Sequence, residues 1–349
     1  MTAVVDRKPT VGQTDVQPVL DVDGMSVEIR TINGTVRAVN EVSFQARRGE
    51  TLALLGESGC GKSMTATALV GLLEPVADVV EGTASLGGVD LFSVGRAKRR
   101  EMAGTELAIV FQDALTALNP VYKVGDQIAE IITAHNKVPK AQLEQRVIRL
   151  LELVGIPNPT ERANQYPHEF SGGMRQRAMI AMAIANEPDL VIADEPTTAL
   201  DVTIQAQVLE VMERIKQRTS SAIALITHDL GVIAGVADRV VVMYAGRVVE
   251  TGNVDQLFYT PHHPYTEGLL ASLPRLDRRA GNERLHRIKG QPPSLLGLPP
   301  GCSFNPRCPH AKHLICDGPR PELIPVGFGG QQSACLRVGE IYADVERVG

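Results

Sequence analysis

A glycine-rich segment near the start of the chain contains the residue types that bind phosphate. It fits the pattern G-x-x-x-x-G-K-[ST] at every fixed position. Glycines let backbone N–H groups approach phosphate oxygens, and the N-terminus of a following helix adds partial positive charge there. A lysine reaches the β- and γ-phosphates, and a serine hydroxyl ligates Mg²⁺. The motif predicts a nucleotide site made of Gly56, Glu57, Ser58, Gly59, Cys60, Gly61, Lys62, Ser63 and Met64.

The acidic half of such a site follows a fully apolar run, 190–193. Asp194 is expected to hold Mg²⁺ opposite Ser63, and Glu195 to orient and deprotonate the attacking water. The alternative is a strand end with two solvated acids. The presence of a phosphate loop in the same chain favours the catalytic interpretation.

Two further side chains follow short apolar strands. Gln112 could contact Mg²⁺ or the attacking water, and His228 could bind a γ-phosphate or hold that water. Taken alone, a glutamine is usually solvated and a histidine at a strand end is more often structural. We nevertheless assign both to the predicted catalytic set, together with Glu195 and Lys62.

A second glycine-containing segment leads into a helix. Ser171, Gly172 and Gly173 precede a helix predicted over 174–185, which makes a second anion-binding helix N-terminus. One nucleotide does not obviously need two such sites from one chain. The second site is therefore expected to serve a nucleotide held by another subunit.

Strands alternate with helices around these motifs, which predicts an α/β sheet. The stretch from about 113 to 187 is expected to be helical and poor in strands. Predicted strands cover 19–32, 36–46, 51–55, 80–91, 107–111, 190–193, 222–227 and 239–250, with a turn at Asn33-Gly34, and predicted helices cover 64–73, 138–154, 174–185 and 203–218.

Composition narrows the class of protein. The 349 residues are 44% hydrophobic with a net charge of −5, only 4% are aromatic, and there is no long basic run, which disfavours binding to nucleic acid. No apolar stretch approaches the ~18 residues of a membrane span. Residues 1–17 lack the apolar segment of a secretory signal and are expected to form a disordered tail. A cytoplasmic protein that can still dock on a membrane protein is therefore expected.

Six motifs occur in a characteristic order: the phosphate loop, Gln112, Ser171-Gly172-Gly173, Asp194-Glu195, Ala199-Leu200-Asp201 and His228. This order resembles the nucleotide-binding subunit of an ABC transporter. The resemblance implies a phosphate-loop NTPase domain over 18–260, with a RecA-like core and antiparallel β and helical subdomains. It implies a head-to-tail dimer in which each ATP lies between the phosphate loop of one subunit and Ser171–Gly173 of the other. Asp201 would contact the opposite subunit, and the region near Gln112 would receive a coupling helix from the membrane subunits.

The chain departs from the family pattern in two places. Phe170 and Met174 replace the usual leucine and glutamine around the second segment, and this is expected to be tolerated because backbone N–H groups bind the phosphate. No aromatic residue precedes Phe44, although the family stacks one on adenine. Val36 or Ile29 is expected to provide an apolar contact instead, which leaves discrimination between ATP and GTP open.

The C-terminal stretch indicates a particular subfamily of ABC transporter subunits. Residues 261–266 (PHHPYT) and 301–309 (GCSFNPRCP) resemble the C-terminal region of ATPase subunits of oligopeptide and dipeptide importers, which also serve some nickel systems. We expect 261–349 to form a small, irregular, cysteine-rich domain. The resemblance implies a [4Fe–4S] cluster on Cys302, Cys308, Cys316 and Cys335. Their spacing lacks the paired C-x2-C of many zinc sites, but zinc and unmetallated thiols remain alternatives.

The resulting hypothesis is an ATPase subunit that energises import of di- or oligopeptides from the cytoplasmic face of the cell membrane. The implied partners are a second homologous ATPase subunit in a heterodimer, two transmembrane permease subunits and an external binding protein. The alternatives are a nickel importer, a soluble ABC-type ATPase acting on nucleic acid or ribosomes, and a metal-sensing or redox protein. Cys60, His310 and His313 are interpreted as loop residues rather than metal ligands.

Overall fold

The structure, a computed structural model, describes residues 17–198, 200–273 and 287–342. Over these ranges the strands form a four-stranded and an eight-stranded sheet. In chain order the strands are β1 (Leu20–Thr31), β2 (Gly34–Ala46), β3 (Thr51–Leu55), β4 (Ala77–Leu86), β5 (Val89–Asp90), β6 (Leu107–Val110), β7 (Leu190–Asp194), β8 (Ala222–Thr227), β9 (Arg239–Tyr244), β10 (Arg247–Asn253), β11 (Ile324–Pro325) and β12 (Gln332–Ser333).

The larger sheet has the strand order β11-β12-β10-β9-β3-β8-β7-β6. Strands β9, β3, β8, β7 and β6 are parallel, so their carboxyl ends meet at one edge. Strands β3 and β8 are buried along their whole length, as expected for apolar strands covered on both faces. The phosphate loop, Gln112, Asp194 and His228 each lie at the end of one of these strands, so the sheet brings them to the same edge.

The smaller sheet is antiparallel and has the order β2-β1-β4-β5. The predicted turn between the first two strands is confirmed, since Thr31 pairs directly with Gly34. Apolar side chains of this sheet, including Val22 and Val39, form one core cluster with Leu69 and with Leu54 of β3. The small sheet therefore covers the helix that follows the phosphate loop.

The helices of the described ranges are α1 (Lys62–Val70), α2 (Arg96–Met102), α3 (Ala114–Ala117), α4 (Val124–His135), α5 (Lys140–Leu153), α6 (Pro159–Arg162), α7 (Gly172–Ala183), α8 (Val202–Thr219), α9 (Leu230–Val236), α10 (Val254–Tyr259), α11 (Pro264–Ala271) and α12 (Val338–Ile341). Helices α3 to α7 occupy the stretch expected to be helical. None of these helices is both long enough and apolar enough to span a membrane.

Two helix boundaries differ from the prediction for identifiable reasons. Helix α7 begins at Gly172 rather than at Met174, because the Ser171 hydroxyl caps it by accepting a hydrogen bond from the Met174 N–H. Helix α1 ends at Val70 rather than at residue 73, because Gly71 adopts the left-handed conformation that terminates many helices.

The C-terminal region packs directly against the larger sheet. Strand β12 pairs with β10 and extends that sheet. The rings of Tyr265 and Phe304 are fully buried and lie 4.6 and 5.2 Å, between centroids, from the ring of Tyr244 on β9. These residues belong to a core cluster that also contains Ala53 and Leu55 of β3. The cysteine-rich region therefore shares a hydrophobic core with the strand that leads into the phosphate loop.

Candidate nucleotide site

The phosphate loop leaves β3 at Gly56 and enters α1 at Lys62. A Cβ atom at Gly56 would lie 2.3 Å from the carbonyl oxygen of Met243. At Gly61, where φ is +106°, a Cβ atom would lie 2.6 Å from the carbonyl oxygen of Ala38. Backbone atoms cannot yield at such distances, so both positions require glycine. The loop consequently lies close against β2 and β9.

Lys62 lies across this loop. Its buried side chain donates hydrogen bonds from Nζ to the carbonyl oxygens of Gly56 (2.8 Å) and Glu57 (3.1 Å). The Sγ atom of Cys60 lies 3.8 Å from Nζ, and burial raises the pKa of this thiol. The amine is thus held over the loop, where it can interact with the phosphates of a nucleotide.

Ser63 and Asp194, the predicted Mg²⁺ ligands, are brought together between α1 and the end of β7. The Ser63 Oγ donates a hydrogen bond to Asp194 Oδ1 at 3.0 Å. Burial, with a smaller contribution from the charge of Glu195, raises the pKa of Asp194. A hydroxyl and a carboxylate suit Mg²⁺, which binds few protein oxygens and completes its shell with water and phosphate. A bound cation would favour the ionised form of this buried carboxyl group.

The carboxylate of Glu195 is held by three side chains. Its Oε2 accepts hydrogen bonds from Gln112 Nε2 (3.0 Å) and Thr198 Oγ1 (2.9 Å), and its Oε1 lies 3.0 Å from His228 Nδ1. Burial alone would raise the pKa of Glu195, but the hydrogen bonds with His228 and Thr198 outweigh it and the pKa is lowered. The carboxylate is therefore ionised at neutral pH and able to accept a proton from water. Sequence reasoning placed Gln112 and His228 near this site, and the structure joins both to one carboxylate.

The second glycine-containing segment lies at the start of α7, in the helical part of the chain. Gly173 packs against α8, since an added Cβ would lie 2.4 Å from Ile204 Cγ2, whereas a Cβ at Gly172 would meet open space. Asp201 caps α8, and its Oδ1 accepts a hydrogen bond from the Ile204 N–H at 3.0 Å. Ala199, one of the motif residues, lies outside the described residues. Ser171 thus caps the N-terminus of α7, and Asp201 caps that of α8.

Two family models and several characterised proteins match this chain and show to which family it belongs. Residues 39–198 match the family model described as ABC transporter, and residues 249–316 match that of the oligopeptide/dipeptide transporter C-terminal region. The dipeptide transport ATP-binding protein DppD of Bacillus subtilis is 51% identical over 302 residues, which cover 86% of this chain and 89% of that protein. The oligopeptide transport ATP-binding protein OppD of Escherichia coli is 44% identical over 338 residues, which cover 97% and 98%. The chain belongs to the ABC transporter family.

The fold agrees with this assignment. A dimeric ATP-binding cassette in a post-hydrolysis state, bound to ADP and Pi, has a TM-score of 0.61 over 67% of this chain and 98% of that chain, at 20% identity. The predicted α/β fold, a phosphate-loop NTPase of ABC type, is therefore confirmed, as is the predicted ATPase class of this ABC subunit.

The four C-terminal cysteines of this ABC subunit line one small cavity, together with His310 and Arg337 among other residues. All of their thiols are free, and burial raises the pKa of Cys308 and Cys335 to about 11. In the described ranges, no group of three or more His, Cys, Asp or Glu side chains is arranged so as to hold a metal ion. The structure therefore brings Cys302, Cys308, Cys316 and Cys335 to one place without forming a coordination site.

The substitutes proposed for the adenine-stacking aromatic are neighbours. Ile29 of β1 and Val36 of β2 are paired across the hairpin, so their side chains lie on the same face of the small sheet. Both residues are partly exposed. The role of either in adenine binding remains a prediction.

Sequence reasoning missed three residues at this site. Thr198 binds the Glu195 carboxylate, the Tyr265 hydroxyl accepts a hydrogen bond from the Glu57 N–H at 2.8 Å, and Arg307 forms an ion pair with Glu57. Thr198 could have been found as a hydroxyl three residues after a catalytic acid. Tyr265 and Arg307 lie in the C-terminal motifs 261–266 and 301–309, but those motifs carry no indication of a contact with the distant phosphate loop.

Proposed function

We propose that this ABC subunit hydrolyses ATP to energise the import of di- or oligopeptides across the cytoplasmic membrane. The proposal rests on the combination, in one chain, of the Glu195-centred site and a C-terminal region that matches peptide transporters. Both relatives described above are named for dipeptide or oligopeptide transport, which favours a peptide over nickel as cargo.

Each residue of the site has a separate proposed role in ATP hydrolysis. Backbone N–H groups of the phosphate loop and Lys62 would bind the β- and γ-phosphates, and Ser63 with Asp194 would hold Mg²⁺. When bound, Mg²⁺ neutralises charge on the phosphate oxygens. Glu195 accepts the proton of the attacking water, and His228 keeps its carboxylate ionised and oriented through their 3.0 Å contact.

One chain supplies half of the proposed catalytic unit. We infer a head-to-tail pair with a second, homologous ATPase subunit, in which Ser171–Gly173 of each subunit binds the nucleotide held by the other. Asp201 would contact the opposite subunit. A helix N-terminus with a serine cap and an unobstructed glycine suits a γ-phosphate, which supports this arrangement.

The remaining partners would be two transmembrane permease subunits and, indirectly, an external binding protein. The region after Gln112 would receive their coupling helices, and the exposed side chains of Val121 and Tyr122 support this, being 71% and 57% accessible. The chain would then act peripherally at the cytoplasmic face of the membrane. The proposed domains are a tail over 1–17, the nucleotide-binding domain over 18–260 with its helical subdomain at about 113–187, and the C-terminal region over 261–349.

We further propose that the four C-terminal cysteines hold a [4Fe–4S] cluster. Four thiols that line one cavity match the usual ligand set of such a cluster, and the proposal requires them to draw closer around it, because they are not arranged as metal ligands in the structure itself. The positive charge of iron would offset the burial that disfavours thiolates. Anaerobically purified protein should contain iron and sulfide and absorb visible light. Cys302→Ser and Cys335→Ser should lose both signals, whereas Cys60→Ser is the matched control and should keep them. Zinc in place of iron, or thiols without metal, would contradict this assignment.

Reconstitution of the transporter in proteoliposomes tests whether its cargo is a peptide or nickel. The chain, its partner ATPase and its permeases should be co-purified and placed in proteoliposomes with the binding protein, ATP and either a radiolabelled dipeptide or Ni²⁺. ATP-dependent uptake of the dipeptide, and not of Ni²⁺, is expected. Uptake of Ni²⁺ alone, or co-purification with ribosomal RNA rather than permeases, would refute peptide import.

A further inference from the structure

Arg307 lies in the sequence between Cys302 and Cys308, yet its side chain reaches the phosphate loop. Its two terminal nitrogens donate to the two carboxylate oxygens of Glu57, at 2.6 and 2.9 Å. Only 5% of the arginine side chain is exposed, compared with 27% of the glutamate side chain. The Nε of Arg307 donates to the Lys289 carbonyl oxygen at 3.1 Å, and one terminal nitrogen also donates to the Tyr244 hydroxyl at 3.3 Å. The guanidinium is thus fixed from several sides.

Glu57 is the first residue after Gly56 in the phosphate loop and is held at three points. Its carboxylate binds Arg307, its N–H donates to the Tyr265 hydroxyl at 2.8 Å, and its carbonyl oxygen accepts from Lys62 Nζ at 3.1 Å. Two of these three contacts come from the C-terminal region. The third is the lysine that interacts with the nucleotide phosphates.

We propose that Arg307 is a positioning residue for the phosphate loop, acting through Glu57 on the backbone that holds Lys62. Glycines leave the loop conformationally permissive, so a fixed loop needs restraint from outside itself. A two-point arginine–carboxylate pair fixes both distance and plane, which a lysine cannot do. This inference rests on the proposed ATPase function and adds a residue that acts on the phosphate loop through Glu57.

Measurement of the nucleotide affinity tests the positioning role of Arg307 directly. The full-length chain should be titrated with a fluorescent ATP analogue and Mg²⁺, using wild type, Arg307→Ala, Arg307→Lys, Glu57→Gln and the double variant Glu57→Gln/Arg307→Ala. Arg307→Ala should raise Kd by about tenfold, which equals about 1.4 kcal/mol. Arg307→Lys should show a smaller loss. The double variant should bind no more weakly than Arg307→Ala, because both changes break the same pair.

Arg320→Ala is the matched control. It removes another C-terminal arginine that reaches the ATPase domain, where it pairs with Glu41 at 3.0 Å rather than with the phosphate loop. Its Kd should stay within about twofold of wild type. In the assembled transporter, Arg307→Lys should raise the KM for ATP with little change in kcat, and this variant also serves if the alanine variant does not fold.

A purely stabilising ion pair predicts a different result. Thermal unfolding would then occur at a lower temperature in Arg307→Ala and Arg307→Lys while Kd stayed at the wild-type value, and that outcome overturns the positioning role. Additive losses in the double variant overturn it as well. Wild-type protein that binds no nucleotide would instead refute the proposed ATPase function, so the two failures are distinguishable.

Discussion

Replacing Glu195 by glutamine should nearly abolish ATP hydrolysis while leaving ATP bound. The carboxylate is held by contacts of 3.0, 2.9 and 3.0 Å with Gln112, Thr198 and His228. An amide of the same shape keeps one acceptor oxygen for the first two partners, and its N–H can face His228 Nδ1. It cannot accept a proton from water. General base catalysis contributes roughly 10²–10⁴-fold, so kcat should fall by that factor. The corresponding loss of transition-state stabilisation is about 3 to 5 kcal/mol.

Phosphate release from the assembled transporter measures this loss, and size-exclusion chromatography with ATP detects the dimer that unhydrolysed nucleotide should hold closed. Glu213→Gln is the matched control, because that glutamate lies on α8 and pairs with Lys216 at 2.8 Å, away from the site. Turnover by Glu195→Gln within about tenfold of wild type would refute the role assigned to Glu195.

Three further predictions concern Gly61 in the phosphate loop, Ser171 at the start of α7 and the buried carboxyl group of Glu250. Gly61→Ala should weaken ATP binding and lower the free energy of unfolding in urea by about 1–3 kcal/mol, because its φ of +106° and the Ala38 carbonyl oxygen exclude a side chain. Ser171→Ala removes the cap of α7, which should cost about 1 kcal/mol of stability and abolish the ATP-held dimer of Glu195→Gln in size-exclusion chromatography. Burial raises the pKa of Glu250 from 4.5 to about 7, so the folded state binds a proton that the unfolded state releases. Stability should therefore fall as pH rises through that window, and thermal unfolding of Glu250→Gln should show a weaker pH dependence.

Each of these three predictions can be contradicted by a specific result. Gly235→Ala, at a position with open space, is the control for Gly61→Ala, and equal ATP affinity in the two variants would refute the steric argument. An intact ATP-held dimer after Ser171→Ala would remove that residue from the interface. Equal pH dependence of unfolding in wild type and Glu250→Gln would assign the effect to other groups.

The parallel sheet and its motifs could be predicted from the sequence because the strands are short, uninterrupted apolar runs. Strand β3 has the predicted bounds, 51–55, and strand β8 the predicted bounds, 222–227. Since the carboxyl ends of parallel strands meet at one edge, the residues that follow them had to lie close together.

Other features needed the folded chain. Helix α4 lies in the stretch expected to be helical, but its bounds were not predicted, because polar residues and Gly125 interrupt the buried series Val124, Ile128 and Ile132. The contact between Arg307 and Glu57 joins residues 250 positions apart. Each residue lies in a motif that the sequence reveals, but nothing in either motif indicates that the two contact each other.

During protein synthesis, that ion pair can form only late, because its two residues are 250 positions apart. A growing chain folds from its N-terminal end, and the strands and helices around the phosphate loop emerge early. Glu57 nevertheless has no arginine to bind until the ribosome has translated residue 307. Formation of this ion pair is therefore deferred until the C-terminal region has been made, and a chain interrupted before residue 307 would carry the phosphate-loop motif without it.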